Sequence, residues 1–527
     1  MRTTEMDAGS VAEATDPHPS HRRQRSALAL IATLMATLLV VAGCSSSTGS
    51  SSTKTLKVGI ASLSTSDALD PAKASTAGGY AIARQVFDTL VEYGTDGKVT
   101  DRLAKSLKAG KTADTWTLVL NDAEWSNGKP VTADDVIYSF TRIFDKKLPP
   151  ASSLPYLNDK GLTKINDKTV EFHLDYPTVV FPDALTSPTM AIVPVGFDPK
   201  KPIGSGPFIL SKNDPGTRIS FTANPNYFAK GQPGVDSLEL VSFPDSTAMT
   251  NALVGGQIDV ASSIDPSLVP VVKAAGSAYK VYDYPTTGTL TWQMNVTQKP
   301  FDNPLVREAL RLAVDRPQLI KQVYSGYAKI GNDIFEPTDP GYNSDLPQRK
   351  QDIATAKALL AQAGYPNGVD VDLTAAPIQS TADRQNEVFV QQVAAAGFRV
   401  TFHKVDEATY YGDAYGTYPL SLSFWGQLSI FDQAAFTIVN NAPYNATKWQ
   451  DDEYNALYEK AVRTVDDRTR IDLEHQMQKI EYDRGSYIVA LFVDSVSAYS
   501  AKVTGYKPYP NSDGPSGYNF KDLSFRS

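Results

Sequence analysis

Hydrophobic segments of period two and of period 3.6 interleave from about residue 115 to residue 402, which restricts the chain to a mixed α/β architecture. Thr115–Leu120 alternates as a strand, and Thr169–Leu174 puts Val170, Phe172 and Leu174 on one face. Arg218–Ala223, Leu238–Phe243 and Lys280–Tyr284 read as further strands. Between these, Thr132 stands where it can cap a helix, with Asp135 three residues on. Ala133, Val136, Ile137, Phe140, Ile143 and Phe144 then share one helical face. Asn303-Pro304 predicts a cap and first turn, followed by the stripe Val306, Ala309, Leu310, Ala313 and Val314. Two more helices are predicted, over about 352–363 before Gly364 and about 383–396 before Gly397, the second leading into a strand over Phe398–Phe402. No short tandem repeat is visible, which argues against a solenoid.

A chain of 527 residues, 42% hydrophobic, is long enough for about three folded units, at roughly 150 residues each. Asp plus Glu is 58 against 50 Lys plus Arg, and a net charge of -8 argues against a general nucleic-acid binder. Five scattered histidines make no familiar zinc motif, and one cysteine makes no intramolecular disulfide. That cysteine, Cys44, follows the basic cluster His21–Arg25 and the uncharged apolar run Ser26–Gly43. Basic segment, apolar segment and small-residue cut site describe a secretory signal peptide. Val41-Ala42-Gly43-Cys44 resembles the bacterial lipobox, in which the cysteine carries diacylglycerol. The competing reading is a single membrane span, although the run is near the lower limit for a hydrocarbon core of about 30 Å. The lipobox reading makes 1–43 a removed signal peptide and 44–55 a flexible Ser-rich tether. It places the protein at the cell membrane, lipid-anchored on the extracytoplasmic face.

Fragments along the rest of the chain resemble one family in order. They are Leu69-Asp70-Pro71, Gln85–Val91, Trp125–Val136, Ile203–Phe208, Asn224–Phe228, Gly255–Asp259, Pro300–Arg316 and Ala356–Gly368. On these the chain resembles the extracytoplasmic solute-binding proteins of family 5, which bind oligopeptides, dipeptides or nickel for ABC importers. The resemblance implies a periplasmic-binding-protein-like α/β fold (type II, cluster C), with two α/β lobes, a hinge and an extra domain on the first lobe. It assigns 54–87, 202–290 and 491–527 to lobe I, 88–201 to the extra domain and 291–490 to lobe II.

The same resemblance implies a ligand site in the interlobe cleft. Ser75, Thr76 and Ala77 follow the first fragment, where family members offer backbone groups. Phe424, Trp425, Gly426 and Gln427 match the segment that forms the facing wall, so an extended peptide would lie between them as an added strand. Leu428 stands where many peptide binders carry the aspartate that pairs with the ligand's ammonium, and Asp432 matches a later aspartate of the motif. The implied partners are a peptide or other small-molecule ligand, an ABC permease with its ATPase, and the membrane through the lipid anchor. The implied state is a monomer, with no catalytic residue, metal, cofactor or nucleic acid.

Alternatives remain at this level. The ligand could be a nickel chelate, an oligosaccharide or a blocked peptide, and the protein could sense peptides rather than import them. A secreted hydrolase would need a nucleophile and base, and no GxSxG elbow occurs. Asp134 and Asp135 read as first-turn helix carboxylates and not as a catalytic pair. Arg307 and Arg316 read as surface or interdomain ion pairs, and Gly204 and Gly206 as a tight turn beside Pro207. His173, His403 and His475 lack ligand spacing, and Tyr410, Tyr411, Tyr415 and Tyr418 form a ring-rich stretch that suits either a polar ligand or surface packing.

Overall fold

The computed structural model describes residues 54–526, apart from 62, 64–68, 427 and 513–514. Cys44, the apolar run and most of the tether lie outside these residues, as does Gln427.

Thr55–Ala61, with Leu56, Val58 and Ile60 buried, is an interior strand of an eight-stranded sheet. It runs parallel to Ser237–Phe243 on one side and Val260–Ala261 on the other. Arg218–Ala223 and Phe208–Asp214 continue the sheet beyond Ser237–Phe243. Leu491–Ser500 and Tyr279–Pro285 complete its other side, antiparallel to each other. A five-stranded sheet runs in the order Phe398–Lys404, Val369–Ala375, Leu420–Trp425, Thr289–Met294, Tyr487–Ile488. Every residue of Thr289–Met294 is buried, and Trp292 stacks on Phe389 with ring centres 4.1 Å apart. The third sheet is antiparallel and four-stranded, built from Ala104–Ala109, Thr115–Leu120, Thr169–His173 and Leu162–Asn166.

The Ala133–Asp145 helix covers that third sheet. Its start is fixed as expected, since Asp135 Oδ2 accepts from the Thr132 backbone N–H at 2.9 Å. Val136, Phe140 and Ile143 are buried from it, and Phe140 meets Phe172 of the sheet edge to face at 5.3 Å. The apolar core here continues through Phe181 into Trp449, Tyr454 and Met477, near or within the helices Asp452–Ala461 and Asp467–Arg484. Asn303 caps Pro304–Ala313 by accepting from Leu305 N–H at 2.9 Å, again as its sequence predicts.

Two short segments carry the chain directly between the eight- and five-stranded sheets, and the strand Ala328–Ile330, reached through longer connections, also pairs with Leu491–Ser500. One is Thr286–Gly288, between Tyr279–Pro285 and Thr289–Met294. The other is Val489-Ala490, between Tyr487–Ile488 and Leu491–Ser500. Threonine hydroxyls tie them together: Thr286 donates to Val493 O at 2.7 Å, Thr289 to Leu491 O at 2.7 Å and Thr291 to Ile488 O at 2.8 Å.

Two local expectations are corrected. Gly204 and Gly206 are needed for close approach rather than for a turn: no turn forms over 203–207, and a Cβ at either would collide with the Val86 backbone. They let the chain press on the end of the Ala77–Val86 helix, where Gly206 N–H donates to Val86 O at 2.9 Å. Arg316 is no surface ion pair: it is 1% exposed and holds buried Asp333 at 2.8 Å. Arg307 makes no salt bridge among the described residues, and its guanidinium donates to the carbonyls of Phe301 and Arg484. A charge buried at such positions needs acceptors at once, which the local backbone supplies.

Candidate binding cavity

A cavity of about 550 Å³ opens where several separate pieces of chain meet. Tyr93 comes from the Val91–Tyr93 strand and Arg84 from the Ala77–Val86 helix. Asp183 comes from the short helix Phe181–Ala184, which is pinned by fully buried Phe181 packed on Trp116 and Phe172. Leu428, Phe431 and Asp432 approach from the start of the Ile430–Thr437 helix, and Tyr458 from Asp452–Ala461. Ser429 caps the Ile430–Thr437 helix: its Oγ accepts from Asp432 N–H at 3.1 Å and donates to Asp432 Oδ2 at 2.8 Å.

The cavity is acidic at its floor. Burial pushes the Asp183 carboxyl up to about 8, and the neighbouring Asp432 and Asp339 push the same way. The Tyr93 hydroxyl, donating to Asp183 Oδ1 at 3.0 Å, pulls against them. Burial likewise lifts Asp432 to about 6, against the stabilising Ser429. Asp339 is raised by burial although it accepts from the N–H groups of Gly341 at 2.8 Å and Ile430 at 3.1 Å. Glu336 is driven well above the carboxylate range by burial. Among the described residues, none of these four carboxyls has a salt-bridge partner, whereas Asp88, Asp333 and Asp70 each hold an arginine. A second cavity of about 440 Å³ adjoins and shares Tyr93, Asp183 and Phe431, and it adds Glu474, lifted by burial to about 7.

Of the site residues expected from sequence, Leu428 and Asp432 come together on this lining. Ser75, Thr76 and Ala77 do not line it: they begin the Ala77–Val86 helix, with Thr76 Oγ1 accepting from Gly79 N–H at 3.0 Å. Phe424 and Trp425 end the Leu420–Trp425 strand, and Gly426 follows. Phe424 is 42% exposed. Trp425 is half-buried, edge-on to Tyr444, and its Nε1–H has no acceptor among the described residues. Sequence reading missed Tyr93, Tyr156, Asp183 and Tyr458. They come from segments with no shared motif, and only the tertiary fold brings them together. The tyrosine-rich stretch packs largely on itself, with Tyr410 buried and stacked on Tyr418, while Tyr411 stays exposed.

Residues 98–448 match bacterial extracellular solute-binding proteins, family 5 Middle. The chain belongs to this family. A relative, Di/tripeptide-binding protein 1 of Pseudomonas aeruginosa (strain UCBPP-PA14), is 27% identical over 463 residues, covering 78% of this chain and 84% of its own. The glutathione-binding protein GsiB of Shigella dysenteriae serotype 1 is 25% identical over 485 residues, covering 87% and 92%. In fold, the chain is similar to HbpA2 from Haemophilus parasuis, with a TM-score of 0.79 at 24% identity over 90% of this chain and all of that one. The architecture is therefore that of the family 5 periplasmic binding proteins, whose members are substrate-binding proteins. Among the described residues no helix is long and apolar enough to cross a membrane.

Proposed function

We propose that this protein captures small peptides outside the cytoplasm and delivers them to an ABC permease and its ATPase. In this reading Cys44 carries the lipid anchor and the protein works as a monomer. Lobe I comprises 54–87, 202–290 and 491–527, lobe II comprises 291–490, and 88–201 is the extra domain. The observation that carries the reading is the pair of short, threonine-tied crossings at Thr286–Gly288 and Val489-Ala490. Two adjacent crossings permit one body to rotate on the other about the junction where Ala328–Ile330 also pairs with Leu491–Ser500, which is a hinged clamp. Ser75–Ala77 and Phe424–Gln427 would supply the backbone walls for an extended ligand. Similarity to di/tripeptide- and glutathione-binding relatives supports peptides as the ligand class.

Leu428 favours a second reading within the same class. Where family members pair an aspartate with a free ammonium, this position offers only apolar surface. Blocked peptides or non-peptide solutes fit that change.

The deciding experiment is mass spectrometry of ligand released from the purified protein, with X-ray scattering before and after its return. One ligand per protein, recovered unchanged, with a smaller radius of gyration on binding, supports the proposal. Steady turnover by pure protein would overturn it.

A further inference from the structure

The segment after Ala328–Ile330 touches both crossings and then the cavity wall. Gly331 N–H donates to Ala490 O at 2.9 Å and Asp333 N–H to Val489 O at 3.2 Å, so the chain runs along the Val489-Ala490 crossing. The approach is close, since a Cβ on Gly331 would sit 2.3 Å from Val489 O. Arg316 and Arg349 fasten Asp333 from the side, each at 2.8 Å. Further on, Thr338 Oγ1 donates to Asn511 Oδ1, and Asp339 accepts from Ile430 N–H at 3.1 Å.

Glu336 stands between these two fastened ends. It is 0% exposed, and its carboxyl faces the Thr287 hydroxyl of the other crossing and the N–H of Leu428, a residue of the cavity lining. Both contacts are looser than the fastenings on either side. Thr287 Oγ1 donates in turn to Gly426 O at 3.5 Å. Asp333 and Glu336 have φ of 60° and 59°, a left-handed conformation that a side chain with a Cβ keeps only where its surroundings impose it.

Burial with no cation beside it among the described residues favours the protonated carboxyl at this position. A protonated carboxyl carries one donor and remains an acceptor. It can accept from Leu428 N–H and donate to the Thr287 oxygen, whose own hydrogen goes to Gly426 O. A position that needed only bulk would be filled by leucine or methionine without the cost of burying a carboxyl.

We infer that Glu336 is a positioning residue that couples the Thr286–Gly288 crossing to the cavity wall, holding Thr287 on one side and Leu428 on the other. Rotation about the crossing changes its backbone angles and carries the Thr287 hydroxyl with it. The wall at Gly426 and Leu428 must then follow or lose its contacts with Thr287 and Glu336. The use of this coupling in ligand capture rests on the hinged clamp proposed above, whereas the coupling itself does not.

The test is amide hydrogen exchange of the whole protein with no ligand added, read by mass spectrometry at the Leu428 amide. Glu336→Met keeps the length of the side chain and removes its polar atoms, whereas Glu336→Gln keeps a donor and an acceptor. Thr287→Val removes the hydroxyl at nearly constant shape, and Thr287→Ser keeps it. Glu336→Met and Thr287→Val should each speed exchange at Leu428 about tenfold, with Glu336→Gln and Thr287→Ser within about threefold of the wild type. The acceleration at Leu428 should exceed that of the buried strand Thr289–Met294, which a general loss of stability would speed equally. The double variant Glu336→Met with Thr287→Val should be no faster than the faster single one, because both break one relay. If Glu336→Met does not fold, Thr287→Val decides alone. A wild-type rate at Leu428 in Thr287→Val, additive effects in the double variant, equal acceleration in Glu336→Gln and Glu336→Met, or equal acceleration throughout the protein would each overturn the coupling. Loss of the coupling would leave ligand capture standing, since no ligand enters the experiment. Turnover by the pure protein would overturn capture and leave the coupling in place.

Discussion

Asp70 and Arg142 meet as a two-point ion pair inside the protein, with Nη1 donating to Oδ2 at 2.8 Å and Nη2 to Oδ1 at 3.0 Å. Asp70 belongs to the Leu69-Asp70-Pro71 fragment and also accepts from Ala72 N–H at 3.2 Å. Arg142 projects from the helix over the four-stranded sheet, and its guanidinium lies 5.3 Å from the Phe197 ring centre. The fragment marks a structural lock in this chain, and the segment leading to Ser75–Ala77 is anchored by it.

Asp70→Ala should cost about 3–5 kcal/mol of stability, because it strands a buried guanidinium. Replacing both partners with apolar residues, Asp70→Leu with Arg142→Met, should recover much of that loss. Chemical denaturation of the three variants measures it; a single-mutant loss below about 1 kcal/mol would show the pair to be solvated.

Gly206→Ala should destabilise strongly, by about 3 kcal/mol or more, because a new Cβ would sit 2.5 Å from Val86 C and 2.6 Å from Gln85 O. Gly256→Ala is the control: its φ is +70° with nothing within 4 Å, so only the left-handed backbone is penalised, at about 1 kcal/mol. Melting temperatures in that order are expected; equal shifts would refute the close-approach reading.

Stability should fall as the pH rises from about 4 to 8. Asp183 has an ordinary value of 3.8 and a folded value of about 8, so its folded state is favoured while it holds a proton. The contribution is complete below 3.8 and disappears as pH passes through about 8. Glu481, also lifted to about 8 by burial, acts in the same direction. Asp183→Asn should be more stable than the wild type, with the gap widening across that window. Thermal melts at one-unit pH steps measure the gap, and parallel curves would count against a buried Asp183.

Leu428→Asp should shift preference toward peptides with a free amino terminus by about 1–3 kcal/mol, the scale of a charge-assisted bond at a buried site. Calorimetry with matched free and N-acetylated peptides compares the variants. A wild type that already prefers the free terminus by more than about tenfold (1.4 kcal/mol) would mean another group, with Asp432 foremost, holds the ammonium.

Cys44→Ala should abolish incorporation of labelled fatty acid and release the protein from the membrane fraction. Label still entering the variant would refute lipidation at Cys44.

Local structure was legible where one short segment determines it. Thr132 with Asp135 and Asn303 with Pro304 each carry their own cap, so both helices begin where the sequence places them. Thr115–Leu120 alternates because only one of its faces meets the covering helix, and its limits match the observed strand. Arg316 misled, because a buried arginine looks like any other until its partner Asp333 is located in space. The cavity was legible only at Leu428 and Asp432, which share a recognisable segment. Asp183 and Tyr93 gave no signal, since their roles depend on which distant carboxyl and ring the fold sets opposite them.

The position of Leu491–Ser500 inside the eight-stranded sheet governs when that sheet can exist. It lies between Tyr279–Pro285 and Val260–Ala261, strands made more than two hundred residues earlier. At about 5–20 residues per second, a ribosome needs roughly ten seconds or more to supply it after its partners have emerged. Until then Tyr279–Pro285 has no neighbour and the sheet stays split, because such long-range pairing cannot form early. The eight-stranded sheet therefore closes only once nearly all of the chain is available, whereas the four-stranded sheet, contained within residues 104–173, has all of its strands long before.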